Sequence, residues 1–111
     1  MTDKQYSICL SEIQNYTDRD AYISDLALSS IWGDEPGANI PSDRIEVLGQ
    51  IYDAAHRSVK DIAAAAGMSS RKLAERFCIP YRTMENWCGG KSICADYTRM
   101  MMQECLGLIK K

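Results

Sequence analysis

Apolar side chains recur three and four positions apart along almost the whole chain, with no sustained alternation of apolar and polar residues. That spacing is the period of an α-helix with one buried face, so the pattern predicts an all-α protein of five or six helices. The first covers about residues 3–15, with Tyr6, Cys9, Leu10 and Ile13 on one side. A second follows Thr17, whose hydroxyl is placed to cap it with Asp20 three residues on, and ends near Trp32. Residues 33–41, GDEPGANIP, hold two prolines and two glycines, the clearest break in the chain. The expected organisation is an acidic helical N-terminal extension over residues 1–41 and a compact bundle of about five helices over residues 42–111.

In the second segment, Ser42 caps a helix with the stripe Ile45, Leu48, Tyr52 and Ala55, which stops around His56 and Arg57. Ser58 and Asp61 form the next start signal. Val59, Ile62, Ala63 and Ala66 then follow at helical spacing until Gly67 supplies a stop. Ser69 caps a helix that buries Leu73, Ala74 and Phe77 and turns Arg71, Glu75 and Arg76 outward. Its continuation, KLAERFCIPYRTMENW over residues 72–87, resembles one long amphipathic helix except at Pro80. A proline inside a helix costs about 3 kcal/mol, but in the first turn its missing amide has no intrahelical partner to lose. The stretch therefore reads as two helices, about 70–77 and 80–88, joined by Cys78, Ile79 and Pro80 and ended by Gly89 and Gly90. A last helix runs over about residues 96–108, with the stripe Tyr97, Met101, Cys105 and Leu108 and with Met102 and Leu106 beside it. Its mate in the core is the 59–66 helix.

Two short helices joined by so tight a turn form a helix-turn-helix, whose second helix enters the major groove of DNA. At 100° per residue, Met84, Trp87 and Cys88 point one way, and Arg82, Glu85 and Asn86 point the other. Arginine offers guanine a pair of donors, and asparagine meets adenine with a donor and an acceptor. Charge agrees with that reading. The net charge of −2 divides after His56: three basic residues against ten acids leave −7 before it, and ten against five leave +5 beyond it. The basic half suits an anionic partner, and the acidic half leaves room for a protein partner.

Residues 66–91, AGMSSRKLAERFCIPYRTMENWCGGK, resemble the Cro/repressor-like (Xre-like) helix-turn-helix family, whose usual pattern is G-L-S-Q-x-x-L-A-x-x-x-G-V-S-x-x-T-I-x-x-W-E-x-G. Gly67, Met68, Ser69, Leu73, Ala74, Ile79, Thr83, Met84, Trp87 and Gly90 fall in register. The resemblance implies base contacts by Tyr81, Arg82 and Asn86 and phosphate contacts by Ser70, Arg71, Thr83 and Lys91, with Lys72, Arg57 and Lys60 near the phosphate tracks. Three positions depart from the pattern: Ser70 stands for the family's glutamine, Cys78 for a glycine and Cys88 for a glutamate. The resemblance also implies double-stranded DNA as partner and a homodimer on a palindromic operator, in a bacterial or phage regulator of the repressor kind.

Further chemistry is sparse. No apolar run approaches the roughly 20 residues of a membrane span, and the start MTDKQYS lacks a signal-peptide pattern, so a cytoplasmic protein without membrane contact is expected. The five cysteines are odd in number and lack a CxxC pair; reduced thiols are expected, and no metal or other cofactor. His56 reads as a helix-end side chain, and Met100, Met101 and Met102 point in different directions, as packing does. There is no nucleophile–base pair, phosphate-cradling loop or HExxH motif, so binding is expected and catalysis is not. The alternative class is a protein-interaction module, an antitoxin or an acidic nucleic-acid mimic, in which the helix-turn-helix is a scaffold or autoregulates its gene.

Overall fold

The computed structural model describes residues 1–35 and 37–109; Pro36, inside the expected break, and Lys110 and Lys111 lie outside the described residues. All described regular elements are helical. They are α1 (Asp3–Glu12), α2 (Arg19–Ala27), α3 (Ser42–Ala55), α4 (Val59–Ala65), α5 (Ser70–Arg76), α6 (Tyr81–Cys88) and α7 (Asp96–Cys105), with short 3-10 turns at Ile13–Asn15 and Ser30–Trp32. No described helix is long and apolar enough to cross a membrane. The chain divides after Ala55 into two compact units. That division assigns α3 to the first unit, where it packs on α1 and α2, although the loop at 33–41 is the stronger break by composition.

In the first unit, Tyr22 is fully buried and donates its hydroxyl to the Cys9 carbonyl at 2.7 Å. Its ring meets Tyr16 edge-on at 5.5 Å and Tyr52 at 5.3 Å, so one side chain joins α1, α2 and α3. Burial pushes the Tyr22 phenol well above its ordinary range and the Cys9 thiol to about 11, which keeps both groups neutral. Local starts differ in detail from the sequence pattern. Thr2 and Gln5 make a complete capping box for α1, and Asp18, not Thr17, caps α2 through the Ala21 amide. α2 ends at Ala27, and Ser29 caps the separate turn that carries Trp32. Ser42 is the first helical residue of α3, not its cap, and Ile45 is exposed while Leu48, Tyr52 and Ala55 are buried.

The second unit is built around α4. Val59, Ile62 and Ala63 join Leu73 and Ala74 of α5, Met84 of α6, Cys94 and Met102 of α7 in one apolar cluster. Ser58 and Ser69 cap their helices through the Asp61 and Lys72 amides, each at 3.1 Å. The four helices end alike. In each, the amide two residues past the cap bonds back to the carbonyl five residues before it: Met68 to Ala63, Ile79 to Ala74, Lys91 to Asn86 and Leu108 to Gln103, all at 2.9 Å. This turn places one residue in the left-handed region. Three of the four are glycines, but the residue between α5 and α6 is Cys78, at φ 55°.

α7 corrects the sequence reading. Tyr97, Met101 and Cys105, expected as its buried stripe, are exposed, and Leu108 is half-buried; Met100, Met102 and Gln103 are buried. Two polar side chains take inward positions because the unit supplies their partners. Gln103 accepts from Arg57 at 3.0 Å and donates to the Arg99 carbonyl at 3.3 Å. Arg99 donates to the Arg57 carbonyl at 2.6 Å and the Cys94 carbonyl at 3.2 Å, and it pairs with Asp96. A pattern that counts only apolar residues misses a face held by hydrogen bonds.

The left-handed cysteine yields a stability prediction. An L-residue in that region costs about 1–2 kcal/mol, part of which glycine gives back as unfolded-chain entropy. Cys78→Gly should therefore raise the unfolding free energy by about 0.5–1 kcal/mol, and the β-branched Cys78→Val should lower it. Urea unfolding of both variants checks this; a destabilising glycine would show that the turn is not strained at Cys78.

Candidate functional site

α5 and α6 meet through Leu73, Ala74 and Met84, with Phe77, Ile79, Trp87 and Cys88 half-buried around them. The direction of α6 is set at its start. Pro80 is extended, at φ −54° and ψ 133°, and forms the cap instead of the first helical residue; its carbonyl accepts the Met84 amide at 3.1 Å. Met84 then faces the core, which turns the opposite side of α6 outward.

That outward side holds most of the residues singled out by sequence. Arg82 and Glu85 are exposed, Thr83 and Asn86 are half-buried, and Tyr81 is 38% exposed at the first position of the helix. Lys91 lies beyond the helix but returns to it, because the closing turn bonds its amide to the Asn86 carbonyl. Arg82, Asn86 and Lys91 thus line one open depression, together with Glu85 and Gly89. A second depression beside α5 is lined by Ser69, Lys72, Glu75 and Arg76 among others. Among the described residues, Arg71, Lys72, Arg76, Arg82 and Lys91 form no ion pair, although Glu85 and Glu75 line the two depressions with them.

Two contacts tie the starts and ends of these helices together. The Arg71 guanidinium lies over the Tyr81 ring at 4.4 Å from its centroid, joining the start of α5 to the start of α6. The Ser70 hydroxyl lies 3.6 Å from the Cys88 sulfur, which is also 3.9 Å from the Met84 sulfur, joining the start of α5 to the end of α6. Ser70 and Cys88, two of the three departures from the family pattern, are therefore partners. Arg57, half-buried, donates to Gln103 in the α7 network. Lys60 is exposed on α4. His56 is exposed just past α3, and the described residues include no grouping of three or more His, Cys, Asp or Glu side chains suited to a metal ion.

No protein-family model, no curated protein and no solved structure matches the chain.

Sequence reasoning placed Arg82, Asn86 and Lys91 separately; their meeting in one depression depends on the turn at Gly90. It missed the Arg71–Tyr81 and Ser70–Cys88 contacts, since neither pair sits at a spacing that any one helix would bring together. Trp87, on the same side of α6 as the fully buried Met84, is half-buried against the core. Trp87→Ala should accordingly cost about 2–3 kcal/mol, below the roughly 3–5 kcal/mol of a fully buried aromatic. Denaturant unfolding measures the loss, and a value under about 1 kcal/mol would detach Trp87 from the packing that orients α6.

Proposed function

We propose that the second unit binds double-stranded DNA as a helix-turn-helix, with α5 across the phosphate backbone and α6 in the major groove. The observation that carries this reading is the depression on the outer side of α6. It brings a guanidinium (Arg82), a carboxamide (Asn86) and an ammonium (Lys91) together on a surface whose opposite side is anchored in the core. Arg82 is suited to a guanine edge and Asn86 to an adenine, while Lys91, past the helix, suits a phosphate. The +5 charge of residues 57–111 supports the electrostatic part, and the resemblance of residues 66–91 to Cro/repressor-like proteins supports the rest. On this reading the protein is a transcriptional regulator that occludes a promoter as a homodimer on a palindrome.

A second reading is supported by the first unit. Of its three basic residues, Arg19 is paired with Asp53 at 2.9 Å and Arg44 with Asp34 at 2.5 Å, which leaves Lys4 among the remaining acids. A surface so acidic suits a basic protein partner, and DNA binding by the second unit would then serve autoregulation. Selection of bound sequences from a random duplex pool separates the two: a palindrome with half-sites about one helical turn apart supports the regulator, and no enrichment favours the interaction module.

Arg82 and Lys91 should fail in different ways. Arg82→Ala should weaken the selected site by about 1–3 kcal/mol and relax preference at one base position. Lys91→Ala should weaken every sequence nearly alike and lower the salt slope by about one. Competition binding to selected and scrambled duplexes across a salt series measures both. Equal weakening of both duplexes by Arg82→Ala would remove Arg82 as a base reader.

A further inference from the structure

We propose that Tyr81 acts as a platform that holds Arg71 for a backbone phosphate, and is not itself a base reader. This rests on the DNA-binding reading above, though only on its sequence-independent part. Arg71 is the second residue of α5 and Tyr81 the first of α6, so the stack bridges the ends of two helices that the buried core already holds fixed. A guanidinium held over a ring by cation–π attraction does not use its N–H groups in a hydrogen bond to the ring's substituents, which leaves donors for phosphate oxygens. Neither side chain has another hydrogen bond or ion pair among the described residues.

The physical benefit is one of ordering. A long, exposed arginine loses rotamer freedom when it binds, and that loss cancels much of what a single phosphate contact supplies. Stacking on Tyr81 removes part of this freedom before DNA arrives. Tyr81 is suited to that task because its backbone is fixed at the α6 start, one residue after the conformationally restricted Pro80. Tyr81 and its neighbour Arg82 are both exposed, but one face of the Tyr81 ring is covered by the Arg71 guanidinium.

The test is a double-mutant cycle in the full chain, using Arg71→Ala, Tyr81→Ala, the pair, and Tyr81→Phe, with duplex binding measured from 50 to 200 mM salt. The circular dichroism of each variant is recorded to confirm that the helices persist. Each alanine variant should lower the salt slope by about one phosphate, so the advantage of the wild type shrinks roughly three- to fourfold across that range. The double variant should lose no more than either single, and Tyr81→Phe, which keeps the ring, should stay within about twofold of wild type. Independent, multiplying losses would overturn the proposal. So would an unchanged slope for Tyr81→Ala with relaxed preference at one base pair, or a Tyr81→Phe loss as large as that of Tyr81→Ala. The cycle is run on scrambled as well as selected duplex. Wild type that does not discriminate the two sinks sequence-specific regulation while the scrambled-duplex cycle still decides the platform, and wild type that binds no duplex sinks both.

Discussion

A 2.9 Å hydrogen bond from the Ile79 amide to the Ala74 carbonyl closes the connection between α5 and α6, and the arrangement of the second unit follows from that closure. To make it, the chain must pass through a left-handed residue at Cys78, leave Ile79 half-buried and present Pro80 in extended geometry. Pro80 cannot continue α5, and it starts α6 in a direction that points Met84 at Leu73. Once Met84 is inside, helical geometry sends Arg82 and Glu85 outward. A strained residue at this position is tolerated because the apolar cluster behind it over-determines the path of the backbone.

The same closing turn recurs at the ends of α4, α6 and α7, and its consequence differs each time. After α4 it brings Met68 back onto the core; after α6 it returns Lys91 to the side of Asn86. One backbone device thus packs an apolar side chain in one place and gathers polar ones in another. The difference lies in which residue follows the left-handed position. In α7 the corresponding logic runs through side chains: Gln103 is buried and Arg99 half-buried because the Arg57 guanidinium and the carbonyls of Arg57, Cys94 and Arg99 satisfy them.

The first unit is organised differently. Its three helices meet on Tyr22, whose ring contacts and single hydroxyl bond are set among buried aliphatics such as Leu26, Leu48 and Ile51. Its charge lies outside that core. Arg19 and Arg44 are held by carboxylates, so the acids that remain define the electrostatic character of the unit. Opposite charge on two separately packed units is a property of composition, and it places any attraction for an anion in the second.

Helical period, the serine caps at 58 and 69 and the proline break at 80 were legible in the chain because each is a local signal, decided within a turn of helix. The sequence by itself determined the all-helical class, the division of charge, the existence of α4 to α7 and the outward direction of Arg82. Tertiary structure alone decided which unit receives α3, since a helix with one apolar face carries no mark of its partner. It decided the inward face of α7, where satisfied polar groups outcompeted the apolar stripe of Tyr97 and Met101. It also decided the pairs Arg71 with Tyr81 and Ser70 with Cys88, because contacts between helices depend on how the turn aims the second helix, and that aim comes from packing behind the turn.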